Sequence, residues 1–369
     1  MKEPKLRFPE FTGAWEQRKL GDIVPITMGQ SPNGNTYSDT PSDYILVQGN
    51  ADLQNGWVTP RMWTTQVTKK ADAGDLIMSV RAPAGAMGKT AYDAVIGRGV
   101  AAIKGNEFIY QLLVKMDSDG YWKPLSCGST FESLNSHDIK NANVLIPNTD
   151  EQTKIGTCFA NLDKLIQSAE KELEGYRELK QGMLQKMFPK KGEKVPEIRF
   201  PEFTSNWEQR KFEDVVIIGS GKDYKHLESG NVPVYGTGGY MLSVNQALSE
   251  NEDAVGIGRK GTIDKPYILR APFWTVDTLF YCIPNKGFDL TFTNCLFQNV
   301  DWKKKDESTG VPSLSKVIIN NVKAYVPSLP EQQRIGEYFS NLDNLITLQQ
   351  KEIDGYKELK KGLLQQMFC

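Results

Sequence analysis

The sequence of 369 residues is poor in the side chains that usually hold metals or carry out proton transfer. It contains only two histidines, His137 and His226, so a histidine-rich metal site is excluded and general acid–base chemistry is disfavoured. The five cysteines are Cys127, Cys158, Cys282, Cys295 and Cys369. They are scattered, odd in number and form no CxxC pair, which argues against a disulfide framework and a zinc site. We therefore expect no metal and a reducing, cytoplasmic environment.

Long apolar runs and excess charge are also missing. The mean hydropathy is -0.44 and no apolar stretch is long enough to cross a membrane. The first residues, MKEPKLRFPEF, do not look like a signal peptide. The net charge is -1, so any contact with nucleic acid must use local basic patches or charge supplied by a partner.

Motifs for a bound cofactor fail on inspection. Residues 256–261 have the form GxGxxG, but Pro266 follows where a dinucleotide fold needs a helix. Residues 84–90 resemble half of a P-loop, with Pro83 in place of the first glycine. We find no amino-methyltransferase motif, no nuclease carboxylate cluster and no Ser/His/Asp set. The chain is therefore predicted to be non-catalytic.

The sequence contains a copy of itself. KLRFPEFTGAWEQRK at 5–19 returns as EIRFPEFTSNWEQRK at 197–211. Residues 151–188 return at 331–368, and 22 of these 38 positions are identical. The segments between the copied blocks are hardly alike. Two copies of one frame with different inserts predict the same kind of task performed on two targets.

Each copy of the longer block predicts an amphipathic helix. Its apolar residues alternate steps of four and three, as in the seam of a coiled coil. The predicted packing and partner-docking residues of the first copy are Ile155, Phe159, Leu162, Ile166, Leu173, Tyr176 and Met183. Those of the second copy are Ile335, Phe339, Leu342, Ile346, Ile353, Tyr356 and Leu363. We expect two helices of about 57 Å, paired antiparallel because such a stripe would not stay exposed.

Local signals refine these helices. Asn148-x-x-Glu151 and Ser328-x-x-Glu331 have the form of capping boxes. Four glycines inside the helices are expected to allow close backbone approach: Gly175, Gly182, Gly355 and Gly362. The repeated N-terminal block, with Trp15 and Trp207, is expected to pack at the helix ends.

The predicted fold class is α+β. Two α/β domains with curved sheets are separated by two long antiparallel coiled-coil helices, in a pseudo-twofold internal repeat. The predicted divisions are a domain at 1–150, a helix at 151–188, a linker at 189–196, a domain at 197–330 and a helix at 331–369. Each insert reads as short strands with Gly, Pro and Asn turns, so its loops should carry function.

The loops of the inserts hold residues suited to nucleic acid. Arginine and lysine bind phosphates and guanine edges, and asparagine and glutamine bind adenine. The candidates of the first insert are Gln30, Ser31, Asn33, Asn35, Arg61, Lys69, Lys70, Arg81, Lys89 and Arg98. Those of the second are Lys222, Lys225, Arg259, Lys260, Arg270, Lys303, Lys304 and Lys305. Arg81 and Arg259 stand out because each directly follows a predicted strand. Aligning DLIMSVR at 75–81 with DAVGIGR at 253–259 places the two arginines at matching positions.

The paired RFPEF…WEQRK blocks, the EQ-x-(K/R)-IG helix entries, the NLDxLI cores and the GY(R/K)ELK…GxLQxMF helix ends occur twice in the same order. In these motifs, and in YGTGG, IGRKGT and FWTVDTLFY, the whole chain resembles the specificity subunit of a type I restriction–modification system. The resemblance implies two target recognition domains, at 1–150 and 197–330, each reading one half of an interrupted double-stranded DNA site.

The resemblance further implies that the helices set the gap between the half-sites and dock two modification subunits. Those subunits carry S-adenosylmethionine and methylate adenine N6. Two restriction subunits, which use ATP and Mg, can join; no cofactor is expected in this chain and no membrane is involved. Two other readings stay open: a single-chain methyltransferase or nuclease, and a two-headed protein scaffold that reads no DNA sequence.

Overall fold

A computed structural model of the protein describes residues 3–126, 132–190, 192–306 and 308–369. Cys127, one of the cysteines predicted to be free, lies outside them. The chain forms two compact units: unit 1 contains Met1–Ala169 and Glu352–Cys369, and unit 2 contains Glu170–Lys351. Each unit therefore combines one sheet-rich domain with part of both long helices, whereas the sequence division treats each helix as a separate segment.

Unit 1 is built from short strands in two main sheets. Its strands are β1 (Glu16–Lys19), β2 (Ile26–Met28), β3 (Tyr37–Ser38), β4 (Tyr44–Val47), β5 (Leu53–Gln54), β6 (Trp57–Val58), β7 (Trp63–Thr64), β8 (Lys70–Ala71), β9 (Leu76–Ser79), β10 (Met87–Lys89), β11 (Ala94–Ile96), β12 (Val100–Ile103) and β13 (Asn143–Ile146). Its helices are α1 (Leu20–Ile23), α2 (Glu107–Ser118), α3 (Lys123–Ser126), α4 (Ser136–Lys140) and the first part of α5 (Thr149–Lys186). The sheets have the orders β2-β12-β9-β10-β6-β5 and β3-β7-β4-β11-β8, and β1 pairs with β13.

Unit 2 repeats this plan with fewer strands. Its strands are β14 (Glu208–Lys211), β15 (Val216–Ser220), β16 (Ser229–Gly236), β17 (Gly239–Val244), β18 (Ala254–Gly258), β19 (Tyr267–Leu269), β20 (Trp274–Thr275), β21 (Leu279–Pro284) and β22 (Lys323–Val326). Its helices are α6 (Phe212–Val215), α7 (Leu290–Gln298), α8 (Lys316–Asn320) and the first part of α9 (Leu329–Met367). The sheets have the orders β15-β21-β18-β19 and β17-β16-β20, and β14 pairs with β22.

The strands predicted from the inserts are confirmed. The apolar runs of β9 and β12 in unit 1 and of β18 in unit 2 are buried along their whole length. Continuous burial of short β-branched and small apolar runs explains why they form central strands. β9 pairs with both β10 and β12, and β18 pairs with both β19 and β21, so the same central position exists in each unit.

The two long helices are confirmed, each within two residues of its predicted bounds. They run antiparallel inside each unit. In unit 1 the Lys360 ammonium lies 2.6 Å from the Asp163 carboxylate, and in unit 2 the Lys180 ammonium lies 2.6 Å from the Asp343 carboxylate. Every seam residue predicted by the four-three alternation is buried or half-buried. An apolar stripe on a long helix is thus removed from water, as its stability requires.

The glycines inside the helices do not serve close approach, so that prediction is wrong. A Cβ atom added at Gly175, Gly182, Gly355 or Gly362 would meet nothing within 4 Å. Their seven-residue spacing keeps them on one face, but that face points away from the seam. Close approach occurs instead at a different glycine in each helix.

Gly156 and Gly336 bring the long helices against the sheet domains. A Cβ at Gly156 would lie 3.0 Å from the Phe108 backbone nitrogen, at the start of α2. A Cβ at Gly336 would lie 2.6 Å from Asp289 Oδ1 and 3.2 Å from the Phe292 backbone nitrogen, at the start of α7. Each glycine therefore allows a long helix to touch the N-terminus of a shorter one.

A buried carboxylate joins the N-terminal block to α5. Asn148 Oδ1 accepts the backbone N–H of Glu151 at 2.9 Å, as a capping box predicts. The Glu151 carboxylate does not return to the cap, however; that half of the prediction is wrong. It accepts two hydrogen bonds of 2.8 Å from the Arg7 guanidinium and one of 3.3 Å from the Trp15 indole. The hydrogen bonds with Glu151 raise the pKa of Arg7.

Unit 2 contains the same arrangement. The Arg199 guanidinium donates to the two oxygens of Glu331 at 2.6 and 2.7 Å, and the Trp207 indole donates at 3.2 Å. Fully buried Trp207 also packs edge-on against Phe188 and Phe292. The repeated block thus lies at the helix ends, as predicted, and its tryptophan contributes both to the core and to the ion pair.

In the described part of the chain, no helix is long and apolar enough to cross a membrane.

We expect Glu331→Gln to lower the free energy of unfolding of unit 2 by about 2–3 kcal/mol, because Arg199 loses its anion in a largely dry site. Glu151→Gln should act similarly on unit 1. Urea unfolding followed by tryptophan fluorescence measures both. The control is Glu208→Gln, whose exposed pair with Arg210 should contribute less than about 0.5 kcal/mol. Equal stability of the Glu331 and Glu208 variants would contradict the assignment.

Candidate nucleic-acid interface

Three loops of unit 1 meet and bring together six of the predicted residues. These are Gln30, Ser31, Asn33, Asn35, Lys69 and Arg98. The Ser31 hydroxyl accepts the backbone N–H of Arg98 at 3.1 Å, and the Gln30 backbone N–H donates to the Ile96 carbonyl at 2.9 Å. The Lys69 carbonyl accepts the backbone N–H of Ile96 at 2.8 Å. Backbone bonds therefore position this group, and most of its side chains stay exposed for a ligand.

A second feature of unit 1 is a cavity of about 460 Å³. It is lined by Gln48, Gly49, Asn50, Ala51, Asp52, Arg61, Met62, Ala82 and Pro83. Arg61 donates to the Ala51 carbonyl at 2.9 Å and lies 3.9 Å from the buried carboxylate of Asp52. Amide side chains, an arginine and a carboxylate form a mixed donor and acceptor surface, which suits a base edge better than a phosphate.

Two of the predicted lysines of unit 1 are engaged by the protein. The Lys89 ammonium lies 5.1 Å from the Trp57 ring and 4.4 Å from the Tyr110 ring, and 3.0 Å from the Glu107 carboxylate. Lys70 lies over the Tyr44 ring at 5.1 Å. The two aromatic rings and the Glu107 carboxylate thus partly neutralise and shield the charge of Lys89.

Unit 2 carries a different cavity, of about 410 Å³. It is lined by Ser220, Arg259, Lys260, Phe280, Ser313, Leu314, Ser315 and Lys316. The buried Phe280 ring lies beneath two cations: the Arg259 guanidinium at 5.9 Å and the Lys316 ammonium at 6.0 Å. Lys316 donates to the Ile218 carbonyl at 2.7 Å. The structure thus brings Arg259 and Lys260 together with a third cation.

The other predicted cations of unit 2 fall into two groups. Lys222 and Lys225 lie exposed on the loop that follows β15. Three others are paired with carboxylates: Arg270 with Asp253, Lys303 with Asp264 and Lys304 with Asp301. The hydrogen bond from Lys303 lowers the pKa of Asp264, and the bond from Lys304 lowers the pKa of Asp301. Lys305 is exposed beside them.

Arg81 and Arg259 do not occupy matching places, so that prediction is wrong by one residue. In unit 1 the backbone N–H of Leu134 donates to the Val80 carbonyl, and in unit 2 that of Leu314 donates to the Arg259 carbonyl, both at 2.9 Å. Arg259 therefore stands where unit 1 has Val80.

Arg81 matches Lys260 instead. Arg81 forms an antiparallel bridge with Ser133, and Lys260 forms one with Ser313. Because successive side chains of a strand point to opposite faces, the one-residue slip in the sequence alignment had matched side chains that lie on opposite faces. At the equivalent position, Val80 is buried in unit 1 and Arg259 is exposed in unit 2.

Several lining residues escaped prediction. In unit 1 these are Gln48, Asn50 and Asp52, and in unit 2 they are Ser220, Ser313, Ser315 and Lys316. The sequence held one signal for Lys316. This lysine directly follows Ser313-Leu314-Ser315, a stretch whose first two residues align with Ser133-Leu134 of unit 1. The exposed hairpin residue Tyr240, beside the glycines of YGTGG, is another candidate for contact with bases.

In the described ranges, no three or more His, Cys, Asp or Glu side chains come together in a group that could hold a metal ion.

Comparison with known proteins gives a consistent result. A family model described as the type I restriction modification DNA specificity domain matches residues 13–175 and 204–357, one stretch for each copy of the repeat. The MjaVIII specificity subunit of a type I restriction enzyme from Methanocaldococcus jannaschii is 25% identical over 297 residues, 69% of this chain and 67% of that protein. The MjaX specificity subunit of the same organism is 29% identical over 192 residues, 49% of this chain and 44% of the relative, so this match spans less than half of its length.

Two solved structures share the fold. The crystal structure of a type I restriction–modification S subunit from M. genitalium aligns with a TM-score of 0.72 at 18% identity, covering 100% of this chain and 99% of the other. A chain from a structural study of assembly and conformational transition in the type I restriction–modification system aligns with a TM-score of 0.55 at 16% identity, covering 95% and 96%. The family model covers most of the sequence, and both relatives are specificity subunits rather than modification or restriction subunits. The chain belongs to the family of type I restriction–modification DNA specificity subunits, which are non-catalytic.

Proposed function

We propose that the protein is the sequence-specific DNA-binding subunit of a type I restriction–modification complex, with each unit reading one half of an interrupted site. The observation that carries this proposal is one repeated frame with two chemically different cavities. Unit 1 presents amides, Arg61 and Asp52, and unit 2 presents three cations. Two different surfaces on two equivalent supports are what two unlike half-sites require.

The long helices are proposed to set the gap between the half-sites. Each helix begins in one unit and ends in the other, so its length constrains both. A helix of 38 residues is about 57 Å long, or about 17 base pairs at ~3.4 Å each. The ion pairs Asp163–Lys360 and Lys180–Asp343 support a fixed register, because charged groups in a seam disfavour slipped pairings.

The helices are also proposed to dock two modification subunits. The seam residues cannot serve directly, because the pairing of the helices already covers them. Exposed leucines lie beside the seam instead: Leu165 and Leu359 in unit 1, at 50% and 52% exposure, and Leu179 and Leu345 in unit 2, at 45% and 42%. Each lies three residues after one seam residue and directly before the next, which is a position flanking the seam. Antiparallel pairing therefore places the two leucines of a unit on the same edge.

The opposite edge of the seam is already occupied in each unit. Gly156 packs against α2 in unit 1, and Gly336 packs against α7 in unit 2. The leucine edge is therefore the one left open to a partner, and neighbouring exposed apolar side chains on one edge form the kind of patch that marks an interaction site.

The catalytic groups are proposed to reside in the partners. In this proposal S-adenosylmethionine belongs to the modification subunits, and ATP and Mg belong to two restriction subunits that can join them. The modification subunits would also supply phosphate contacts that a chain of net charge -1 needs. The complex would act in the cytoplasm.

The first test is to express the chain with its cognate modification subunit and to map N6-methyladenine across the host genome. We expect a two-part motif with a constant gap. Replacing residues 20–144 by the insert of another family member should change one half of the motif and leave the other half and the gap intact. Changes in both halves would contradict independent reading, and a stable complex without any motif would favour the scaffold interpretation.

The docking surface has its own test. We expect Leu165→Asp combined with Leu359→Asp to weaken assembly with the modification subunit at least tenfold, about 1.4 kcal/mol, because charges replace apolar contacts. Size-exclusion chromatography and titration of the purified proteins measure this. Lys164→Asp is the matched control, since this neighbouring exposed residue points away from the seam. Normal assembly of the leucine variant, or equal loss in the control, would refute the leucine edge.

A further inference from the structure

The cations of the unit 2 cavity are not neutralised by the protein. Among the described residues, Arg259, Lys260 and Lys316 form no ion pair with a carboxylate. By contrast, Lys303 and Lys304 lie 2.8 and 2.7 Å from carboxylate oxygens. Three uncompensated positive charges around one depression create a local positive potential, which attracts an anion even on a protein of nearly zero net charge.

The protein also holds two of these cations, Arg259 and Lys316, in place. Stacking over Phe280, which is only 4% exposed, restricts the Arg259 and Lys316 side chains. Lys316 is further held by its hydrogen bond to the Ile218 carbonyl, and an ammonium keeps two more donors for a ligand. The cavity is thus preorganised, and little rotamer freedom is lost on binding.

Hydroxyl groups complete the lining. Ser220, Ser313 and Ser315 border the cavity, and each can donate one hydrogen bond. The Asp306 carboxylate accepts the backbone N–H groups of Ser313 and Ser308, both at 3.0 Å, and these two hydrogen bonds lower the pKa of Asp306. Asp306 therefore holds the loop that carries two of the serines. Cationic and hydroxyl donors around an open depression suit the oxygens of a phosphate.

Unit 1 does not contain this set. Its strand pairing is the same: β2 pairs with β12 at Met28 and Ala101, as β15 pairs with β21 at Ser220 and Phe280. Unit 1 therefore has Ala101 in place of the Phe280 ring and Met28 in place of the Ser220 hydroxyl.

The cations differ as well. Val80 stands in place of Arg259, and Arg81 stands in place of Lys260. Ser136 stands in place of Lys316, because these two residues begin the equivalent short helices α4 and α8. Three cations in unit 2 thus correspond to one in unit 1.

We propose that the cavity between Arg259, Lys260 and Lys316 binds one phosphodiester of the DNA backbone beside the half-site read by unit 2, and that unit 1 lacks an equivalent clamp. This inference rests on the proposed function, because it takes the anion to be DNA. The clamp contributes affinity and position, while the bases are read by other loops of the unit.

The test uses the complex of the full chain with its modification subunit, and duplexes with the mapped motif or a scrambled one. Arg259→Ala and Lys316→Ala should each weaken binding about tenfold on both duplexes. The combined variant with Lys260→Ala should reduce the slope of log K against log salt by about one, the value for one lost phosphate contact. The mapped motif should not change.

Controls separate binding from folding. Lys211→Ala removes a lysine that is outside the cavity and paired with Glu213, so its affinity and salt slope should stay those of the wild type. Lys316→Arg keeps the charge and should restore most of the affinity lost in Lys316→Ala. Thermal unfolding of each variant verifies the fold. Unchanged affinity and slope in folded cavity variants would overturn the proposal, and so would a changed base preference, which would make the cavity a base reader.

A methylphosphonate scan identifies the phosphate. Phosphates along the half-site of unit 2 are replaced one at a time by a neutral methylphosphonate. One position should weaken the wild type about tenfold and have no further effect on the combined cavity variant. A different result would be that no methylphosphonate position shows this pattern, while inorganic phosphate binds the wild type and does not bind the combined cavity variant. The site would then bind free phosphate, and the proposal would be wrong. If the wild-type complex methylates no sequence motif at all, the proposed function is wrong. The methylphosphonate scan can still be made on any duplex that the complex binds, and it tests the phosphate site separately.

Discussion

A buried carboxylate at the first turn of each long helix supports the whole frame. A helix N-terminus favours a negative charge, and the Arg7 and Arg199 forks neutralise Glu151 and Glu331 with paired hydrogen bonds. Without such partners, a buried carboxylate would cost several kcal/mol. Because the arginine and tryptophan come from the repeated N-terminal block, one ion pair connects that block, the long helix and the core of the unit.

This internal closure allows the loops to differ. The core contacts of each unit are satisfied by the frame: buried central strands, the glycine contacts at Gly156 and Gly336, and the paired β1–β13 and β14–β22 ribbons. Most lining residues of the cavities lie in loops or at the ends of strands and helices, whereas Ser220 and Phe280 belong to β15 and β21. Substitution at the loop positions does not disturb the packing of the core. One unit can therefore present amides and a carboxylate while the other presents three cations, on supports with the same strand pairing.

The long helices divide their surface between three tasks. Their seam is covered by the partner helix, one edge packs against the sheet domains through Gly156 and Gly336, and the other edge keeps exposed leucines. The proposed recognition by loops and the proposed docking on helices would therefore use different atoms. The proposed ruler and the proposed docking surface can coexist on one pair of helices, because neither task needs the residues that the other occupies.

The sequence by itself determined the repeat, the two long helices with their seam, and the central strands, because periodicity and buried apolar runs are local properties. It also pointed to Arg259 and Lys260. Tertiary structure decided which glycines are contacts, since Gly175 and Gly156 differ only in what lies opposite them. It decided that Glu151 binds Arg7 rather than its own cap, and that Arg259 matches Val80. Register and charge pairing depend on distant segments, and Lys316 joins the cavity only because a short helix is folded back over Phe280.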